Sequence, residues 1–336
     1  MKDIYILGIE SSCDETSIAV VKNGREVISN VISSQIDIHK IYGGVVPEIA
    51  SRNHVKNIDV VLNEAIEKAG ISLKDISAVA VTYGAGLLGA LIVGVTFAKA
   101  LSYSLGVPLY GVNHIEGHIA ANYIAHHDLT PPFVCLVVSG GHTALFEMKD
   151  YTNKKLLGTT QDDAVGEAFD KISRELGLGY PGGPKIQNAA ENGEKNITFI
   201  AKPHAKDNLN FSYSGLKTAV INYLHNKKQK NEEISIENVA RSFEEEAVGQ
   251  LVEKAISACK KTGEKKIVVA GGVSANKMLR DKLTEAAKKE GISTFFPPLI
   301  LCTDNAAMIA SQAYYNLLAG KKPDDLSLGP KSTISL

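Results

Sequence analysis

A buried strand and a glycine turn are predicted at Phe133-Val134-Cys135-Leu136-Val137-Val138-Ser139-Gly140-Gly141-His142. An apolar run that ends at glycines is typical of a strand that leads into a tight turn. Two further short runs, Thr143–Met148 and Lys154–Thr159, predict a returning strand and a third one. Residues 4–33 repeat this order, with three apolar runs separated by polar turns. The chain therefore holds two copies of one unit of three strands.

Each copy continues with a long helix, a strand, a glycine loop and a second helix. In the first copy a helix begins at Pro47, a residue suited to the first helical position, and stops at Gly70. In the second copy the corresponding helix is predicted over residues 243–261. The glycine loops are Tyr83-Gly84-Ala85-Gly86 and Gly271-Gly272-Val273-Ser274. The repetition indicates an internally duplicated α/β fold.

The spacing of the two copies locates an insertion in the second. The first strands begin at residues 4 and 133 and the glycine loops at 84 and 271, so the second copy is longer by about 58 residues. The extra residues fall at about 160–242, in glycine-rich and polar sequence. We expect an N-terminal lobe of residues 1–120, to which residues 307–336 return, and a C-terminal lobe of residues 121–306.

Two lobes with paired strands and glycine loops describe the actin-like (ASKHA) architecture of actin, hexokinase and Hsp70. In that architecture, glycine turns of both lobes offer backbone N–H groups to phosphates. Any single glycine run is an ordinary turn on local grounds, whereas runs at matching places in both copies favour the duplicated fold. We predict an α/β, two-lobed, actin-like fold with an insertion in the second lobe.

The composition is that of a globular chain without bulk charge. Of the 336 residues, 44% are hydrophobic and 22% are charged, and the formal net charge is −1. These values exclude disorder, and they exclude binding of nucleic acid or membrane through bulk charge, so such a partner requires a local patch. The four cysteines contain no Cys-x-x-Cys pair and predict free thiols in a reducing cytoplasm.

One uncharged stretch, residues 76–98, is long enough to cross a bilayer. It holds four glycines and begins with alternating β-branched residues, a pattern that predicts a strand, a glycine turn and a buried helix instead. The apolar run at residues 4–9 is too short for a signal peptide. We expect a cytoplasmic protein without a membrane segment.

His114 and His118 are candidate metal ligands. On a helix, side chains four residues apart lie on one face, so both imidazoles can reach one ion. Two packing or surface histidines are the alternative. Glu116 lies about 200° around the helix from His114, at about 100° per residue. It is therefore badly placed for the water-activating glutamate of a metalloprotease.

Asp304 is the candidate for a third ligand. It stands just before an apolar helix predicted over Ala306–Leu318, so capping of that helix is the alternative role. Two histidines and one carboxylate with open positions suit Fe(II) or Zn(II) in a substrate-binding site. Cys302 and Asp14 are alternative ligands that the sequence leaves open.

Two other carboxylates and one basic run are candidates for substrate contacts. Asp14 lies in the first turn, where two-lobed phosphotransferases keep a carboxylate near phosphates or metal, and a plain turn aspartate is the alternative. Asp170 lies on a predicted helix, where it can bind a ribose or an amine or simply face solvent. The basic run is a solvated face or a nucleic-acid footprint, and it comprises Lys217, His225, Lys227, Lys228 and Lys230.

Ordered motifs along nearly the whole chain carry a family resemblance. They are residues 9–16, Gly43-Gly44-Val45-Val46-Pro47-Glu48, His114 with His118, Val138-Ser139-Gly140-Gly141-His142-Thr143, Phe169-Asp170-Lys171, Tyr180-Pro181-Gly182-Gly183-Pro184, residues 211–217, Gly271-Gly272-Val273-Ser274-Ala275-Asn276 and Cys302-Thr303-Asp304-Asn305. Their order resembles the TsaD family of bacterial tRNA N6-adenosine threonylcarbamoyltransferases, which are related to the Kae proteins and were formerly called O-sialoglycoprotein endopeptidases. One departure is Ala85, where the family usually has proline between the glycines.

The resemblance implies a site and a reaction. His114, His118 and Asp304 would bind one divalent metal ion, with iron preferred and zinc as the alternative. The threonylcarbamoyl-adenylate (threonylcarbamoyl-AMP) donor would be held by Val137, Val138, Ser139, Gly140, Gly141, Asp170, Gly183 and Asn276. The N6 amine of the adenosine at position 37, in tRNAs that read codons beginning with A, would attack the carbamoyl carbon and release AMP. Asp14 would position the donor or assist proton transfer.

The resemblance also implies partners. A TsaC-type enzyme would make the donor, while a TsaB-like paralogue and a TsaE-like ATPase would support transfer to tRNA. Two other classes of enzyme are alternatives: an ATP-dependent phosphotransferase or ATPase of the same fold, which does not need His114 and His118, and a metallo-glycoprotease, which Glu116 disfavours. A non-catalytic scaffold should lack the three metal-ligand candidates altogether.

Overall fold

The computed structural model describes residues 3–199 and 208–335. The chain divides into two compact units, each of which has its own sheet. The N-terminal unit comprises Met1–Pro131, Asp150–Asn153 and Pro297–Leu336, and the C-terminal unit comprises Pro132–Lys149 and Lys154–Phe296. The divisions lie about ten residues away from the expected ones at 120 and 307, because residues 114–125 and 306–318 pack on each other and belong to one unit.

The strands are β1 (Tyr5–Glu10), β2 (Glu15–Lys22), β3 (Glu26–Ser34), β4 (Ala78–Gly84), β5 (Leu109–Asn113), β6 (Phe133–Val138), β7 (Thr143–Met148), β8 (Lys154–Thr159), β9 (Lys266–Ala270) and β10 (Ser293–Phe295). The helices are α1 (Ile36–Lys40), α2 (Pro47–Ala69), α3 (Leu88–Leu105), α4 (His114–Ala125), α5 (Val165–Glu175), α6 (Gly182–Ala190), α7 (Ser214–Gln229), α8 (Ile236–Thr262), α9 (Lys277–Lys289), α10 (Leu299–Cys302) and α11 (Ala306–Leu318). Short 3-10 turns occur at Leu73–Asp75 and Gly272–Ala275.

The two sheets have the same topology, which confirms the duplicated fold. The N-terminal sheet has the order β3-β2-β1-β4-β5, and the C-terminal sheet, from its other edge, has the order β8-β7-β6-β9-β10. In each, the first three strands of the copy are antiparallel neighbours and the last two run parallel to the central strand. Parallel strands end at one edge of a sheet, so the loops that follow β1, β4 and β5 come together, as do those that follow β6 and β9.

Local sequence explains most helix ends. Pro47 occupies the first position of α2, and Gly70 ends it in the left-handed region with φ 63°. Asn276 caps α9 by accepting a hydrogen bond from the Leu279 N–H. The predicted start of α8 at residue 243 was wrong, because the helix begins seven residues earlier at Ile236, where Ser235 caps it by accepting the Asn238 N–H. The insertion contains α5, α6 and α7, and residues 200–207 within it lie outside the described residues.

Within the described ranges, α3 is the one helix long and apolar enough to cross a membrane. It follows β4 and packs on β4 and α2, with Leu91 and Val95 buried. The expected order of strand, turn and helix is therefore present. The helix is buried on one face only, since Leu88, Ile92 and Tyr103 are exposed.

The N-terminal sheet is covered on both faces. Ile6 of β1 belongs to the core under α4 and α11, whereas Leu7 and Ile9 belong to the core under α2 and α3. Gly8 is the position where α11 comes closest, because a Cβ there would lie 2.2 Å from the Ala306 carbonyl oxygen. A strand with both faces buried is apolar throughout, which is why the run at residues 4–9 shows no alternation.

Candidate active site

Three strand ends of the N-terminal unit bring its polar residues together. Glu10 ends β1, Thr82 lies near the end of β4, and His114 directly follows β5. Asn113 caps α4 by accepting a hydrogen bond from the Ile115 N–H, so α4 begins at His114 itself. The parallel pairing of β1, β4 and β5 therefore places an acid, a hydroxyl and an imidazole at one sheet edge.

His114, His118 and Asp304 form a compact group. Their ligand atoms all lie within 4.8 Å of one another. The Asp304 Oδ1 atom lies 3.4 Å from His114 Nε2 and 3.3 Å from His118 Nε2. Both histidines lie on α4, as their spacing predicts, and Asp304 comes from the segment just before α11. Cys302, Asp14 and Glu116 are not part of the group.

The close approach of α11 to β1 and α4 carries Asp304 to the histidines. Ala306 N–H donates to Ser17 Oγ at 2.9 Å, and Gly8 leaves space for the Ala306 carbonyl. Gly117 lies between the two histidines, and a Cβ there would meet Ile309 Cδ1 of α11 at 2.6 Å. Capping of α11 by Asp304, the alternative role, is wrong, because Asn305 accepts the Met308 N–H instead.

The group fits a divalent metal ion. Ligand atoms held about 2.1 Å from one ion at tetrahedral angles lie about 3.4 Å apart, close to the spacing of the Asp304 oxygen from either imidazole. His118 is 1% exposed, and neither of its ring nitrogens has a hydrogen-bond partner in the described part of the chain. A buried imidazole without partners is costly unless something else binds it. Two imidazoles and one carboxylate suit Fe(II) or Zn(II).

The charges of the group are strongly coupled. Burial opposes ionisation of His114, but the Asp304 and Glu10 carboxylates overcome it and raise the His114 pKa well above its usual value. Burial also opposes ionisation of Asp304, and His114 and His118 outweigh it and lower the pKa of Asp304. Burial and the neighbouring His114 lower the pKa of His118. The site therefore favours an ionised Asp304 and a neutral His118, the forms that bind metal, whereas His114 would release a proton when a metal ion binds.

Asp14 lies near this group but in a separate position. It is 6% exposed in the turn between β1 and β2, where its carbonyl oxygen accepts the Gln35 N–H. Its neighbour Glu15 is buried too, and burial together with Asp304 and Asp14 raises the Glu15 pKa well above its usual value. Cys302 directs its thiol to the carbonyl oxygens of Pro297 and Pro298. The predicted role of Asp14 stays a prediction.

In the C-terminal unit, the predicted donor-binding turn follows β6. Val137 and Val138 are buried in the strand, and the turn closes where Ser139 N–H donates to the His142 carbonyl at 2.8 Å. Gly140 and Gly141 are exposed, and a Cβ at either would meet nothing within 4 Å. Gly271, at the end of β9, has φ 91° and comes so close to Val138 that a Cβ would lie 2.4 Å from its carbonyl oxygen.

Helix α5 begins beside this turn. Val165 N–H donates to Thr143 Oγ1, and a Cβ at Gly166 would lie 2.6 Å from the Ser139 carbonyl oxygen. One turn further on, Asp170 Oδ1 accepts the Gly182 N–H at 2.7 Å, so Asp170 holds the start of α6, where Gly183 has open space around it. The structure thus brings the turn, Asp170 and Gly183 to successive positions along α5 and α6.

Asn276 is tied down within the C-terminal unit. Its Oδ1 atom caps α9, and its Nδ2 atom donates to Glu244 Oε1 at 2.6 Å. Burial raises the pKa of Glu244. The predicted basic run divides: Lys217 pairs with Asp163 and Lys227 with Glu232, whereas His225, Lys228 and Lys230 are exposed at the end of α7 and beyond it.

Sequence reasoning missed two buried glutamates, Glu10 beside His114 and Glu244 beside Asn276. Glu10 had a signal, because an acid at the end of an apolar strand is unusual in a core. Glu244 had a signal too, because it lies four residues before Val248 and seven before Leu251, the spacing of one buried helix face, which Glu245 and Glu246 do not share.

The fold and the site together define a class: a duplicated actin-like protein with a candidate metal centre in its N-terminal unit and a glycine turn in its C-terminal unit. Solved structures share the fold. The crystal structure of T. kodakarensis HypF matches 95% of this chain and 48% of its own with a TM-score of 0.65 at 14% identity. Component A of (R)-2-hydroxyglutaryl-CoA dehydratase from Acidaminococcus fermentans matches 94% of this chain and 99% of its own, with a TM-score of 0.55 at 14% identity.

The sequence comparisons identify the family. A model of the TsaD family, described as tRNA N6-adenosine threonylcarbamoyltransferase, matches residues 26–311. The tRNA N6-adenosine threonylcarbamoyltransferase of Clostridioides difficile (strain 630) is 59% identical over 325 residues, which cover 96% of this chain and 96% of that protein. The one of Clostridium novyi (strain NT) is 57% identical over 95% of this chain and 94% of its own. The chain belongs to this family, and its activity is transfer of threonylcarbamoyl to tRNA.

Proposed function

We propose that this chain transfers the threonylcarbamoyl group of threonylcarbamoyl-AMP to N6 of adenosine 37 in tRNAs that read codons beginning with A, and that His114, His118 and Asp304 hold a divalent metal ion for this reaction. The observation that carries the proposal is the His114, His118 and Asp304 group, in which both histidines are buried, the ligand atoms lie within 4.8 Å of one another, and no hydrogen bond to His118 forms among the described residues. Iron(II) is the preferred ion and Zn(II) the alternative.

The bound ion would supply Lewis acidity toward oxygens of the donor. The C-terminal unit would supply the donor's binding groups: the turn of Ser139, Gly140 and Gly141 for the phosphate, with Asp170, Gly183 and Asn276 for the rest. Exposed glycines present backbone N–H groups without steric cover, and such groups stabilise anionic oxygen. The new bond joins the adenosine N6 to the carbamoyl carbon, the bond from that carbon to the phosphate oxygen breaks, and AMP leaves.

Asp14 would act on the donor or on the proton that N6 loses. Its burial in the turn after β1 supports a role at the site over a surface turn, because an aspartate is seldom as little as 6% exposed. An Asp14→Asn variant that keeps metal affinity and loses transfer would support this role.

The experiment that tests the proposed function reconstitutes the reaction. The chain is combined with the expected partners, threonine, bicarbonate, ATP and unmodified tRNA, and the modified nucleoside is measured by mass spectrometry. Wild type should form it and Asp304→Ala should not, whereas the exposed acid variant Asp128→Ala should match wild type. Modification by wild type and by Asp304→Ala at equal rates would remove the metal group from the mechanism.

The expected partners are a TsaC-type enzyme that supplies the donor, a TsaB-like paralogue and a TsaE-like ATPase, all in the cytoplasm. Apolar side chains on α2 and α3 support a protein partner, because Val55, Ile92 and Tyr103 are each at least 48% exposed. We assign this face to the TsaB-like paralogue. Ile92→Asp should abolish its binding in titration calorimetry, whereas Leu326→Asp, another exposed apolar position, should not.

A further inference from the structure

The side chain of Glu10 is enclosed entirely in the N-terminal unit. It is 0% exposed, and its carboxylate receives hydrogen bonds from three separate elements. Ser12 N–H donates to Oε1 at 2.5 Å, the Thr82 hydroxyl donates to Oε2 at 2.6 Å, and His114 Nδ1 lies 3.1 Å from Oε2. Every group in contact with the two oxygens is a potential donor, which is the environment of an ionised, acceptor-only carboxylate.

A buried carboxylate of this kind is costly to maintain for stability alone. Removing a carboxylate from water costs several kcal/mol. A buried ion pair rarely adds more stability than well-packed apolar residues of the same volume would. Among residues 3–199 and 208–335, the cationic partner that ion-pair geometry gives Glu10 is His114. Stability therefore does not explain the contact, whereas an effect of Glu10 on His114 does.

The contact fixes which nitrogen of His114 carries hydrogen. Because an ionised carboxylate accepts only, Nδ1 must donate to Glu10, and in the neutral imidazole the lone pair then lies on Nε2. That nitrogen is the one that faces Asp304 Oδ1 at 3.4 Å. Ser12 Oγ, 3.2 Å from Nδ1, lies on the same side of the ring. Glu10 thus selects the tautomer and the ring orientation that a metal ion between His114, His118 and Asp304 requires.

We propose that Glu10 is a positioning residue for the metal centre: it orients His114 and fixes Nε2 as the metal-binding nitrogen. The inference rests on the proposed metal site. Metal-binding histidines commonly donate their second N–H to a carboxylate in this way, and loss of that carboxylate lowers metal affinity by about 10- to 100-fold.

Charge balance supports the same role. Glu10 and Asp304 contribute two negative charges, the two imidazoles are neutral when they bind metal, and a divalent cation balances the sum. The two histidines also differ, because Glu10 contacts His114 at 3.1 Å, whereas the described neighbour of His118 is Asp304 at 3.3 Å. A change at Glu10 therefore acts first on His114.

The test compares metal affinities of the full chain, with Co(II) and Zn(II) as probes in competition with a chromophoric chelator. Glu10→Gln keeps the shape and one acceptor but loses the charge, and it should bind both ions about 10- to 100-fold more weakly, with a changed Co(II) absorption spectrum. Glu244→Gln is the matched control, since Glu244 is also a buried glutamate paired with a functional side chain, and its metal affinity should equal that of wild type.

Three results would overturn the inference or its basis in distinguishable ways. Wild-type affinity and spectrum in Glu10→Gln would overturn the positioning role alone. Equal losses in Glu10→Gln and Glu244→Gln would assign the effect to general destabilisation and overturn it too. A wild-type chain that binds neither ion would refute the proposed metal site itself.

A second variant keeps the test decisive if Glu10→Gln fails to fold, which circular dichroism reports. Thr82→Val removes the 2.6 Å hydrogen bond that fixes Glu10 Oε2 and leaves the charge in place. It should lower Co(II) affinity by a smaller factor, on the order of threefold. An unchanged affinity in Thr82→Val would count against the positioning role.

Discussion

The turn after β1 and the turn after β6 occupy matching places in two sheets of the same order, yet they differ in almost every chemical respect. The first contains Ser11, Ser12 and Asp14, all at most 6% exposed. The second contains Ser139, Gly140 and Gly141, and its two glycines are exposed with open space around them. One backbone design therefore serves as a buried, charged turn in one unit and as an open turn in the other.

The difference lies in what covers each turn. In the N-terminal unit, Leu87 N–H donates to the Ser12 carbonyl and Ser11 Oγ donates to the Ala90 carbonyl, so the start of α3 closes over the turn. In the C-terminal unit, α5 approaches only one side, at Gly166. Covered polar groups are oriented and desolvated, as a metal site requires, whereas uncovered N–H groups remain available to a ligand. Duplication followed by different covering yields two kinds of site.

The largest effect is expected at the metal group. His114→Ala should lower metal affinity by more than about 100-fold, a loss greater than that for an outer carboxylate, and should abolish transfer, because it removes a ligand outright. Metal content is measured by elemental analysis and transfer by nucleoside mass spectrometry. His142→Ala, in the open turn, should retain the metal. A metal-free, fully active His114→Ala would refute the proposed metal site.

The packing that holds α4 in place is tested at Arg25. Its guanidinium donates to the carbonyls of Tyr123, His126 and Leu129 and lies 5.7 Å from the centre of the Tyr123 ring. Arg25→Ala should lower the free energy of unfolding by about 2–4 kcal/mol, since several charge-assisted hydrogen bonds and a cation–π contact are lost. Urea unfolding measures the change.

The control for this variant is an exposed arginine. Arg52 pairs with Glu48 one helical turn away, with side chains 74% and 75% exposed. Arg52→Ala should cost less than about 0.5 kcal/mol. If the two variants lose equal stability, Arg25 has no special role in fixing α4.

The open turn is tested with two glycines. Gly166→Ala should lower stability by about 2 kcal/mol, because the new methyl group would lie 2.6 Å from the Ser139 carbonyl oxygen. Gly140→Ala, where nothing lies within 4 Å, should stay within about 0.5 kcal/mol of wild type and raise the KM for the donor. Thermal unfolding and steady-state kinetics separate the effects; an unchanged KM in Gly140→Ala would argue against phosphate binding at this turn.

The smallest effect concerns the anchor of α7. Burial disfavours ionisation of Asp163, but Lys217 and Lys171 overcome it and lower the Asp163 pKa. Because the pKa of Asp163 is lower in the folded chain than its value of 3.8 in the unfolded chain, ionised Asp163 stabilises the fold above pH 3.8. This stabilisation is lost as the pH falls through the folded-state pKa. Asp163→Asn should therefore cost about 1 kcal/mol at neutral pH, and its difference from wild type should shrink below about pH 4. Urea unfolding at pH 7 and pH 3 measures this; an equal difference at both would refute the ion-pair account.

Much of the fold could be predicted because its signals are local. The ends of α2 follow from Pro47 and Gly70, and β7 and β8 have the predicted bounds because runs of apolar residues are bounded by turn residues. The start of α8 was predicted too late although local signals were present, because Ser235 is a capping residue and Val239 lies one helical turn before Phe243 on the buried face. Helix α3 keeps an exposed apolar face, which composition alone cannot distinguish from a buried one.

The sequence by itself determined the duplicated architecture, the place of the insertion, the shared face of His114 and His118, and the family. Each of these follows from short-range spacing or from ordered motifs. Only the tertiary structure decided that Asp304 meets the histidines instead of capping α11, that Glu10 contacts His114, and that Glu244 holds Asn276. These contacts join residues far apart in the chain, and strand order and helix packing, which no local pattern encodes, bring them within hydrogen-bond distance.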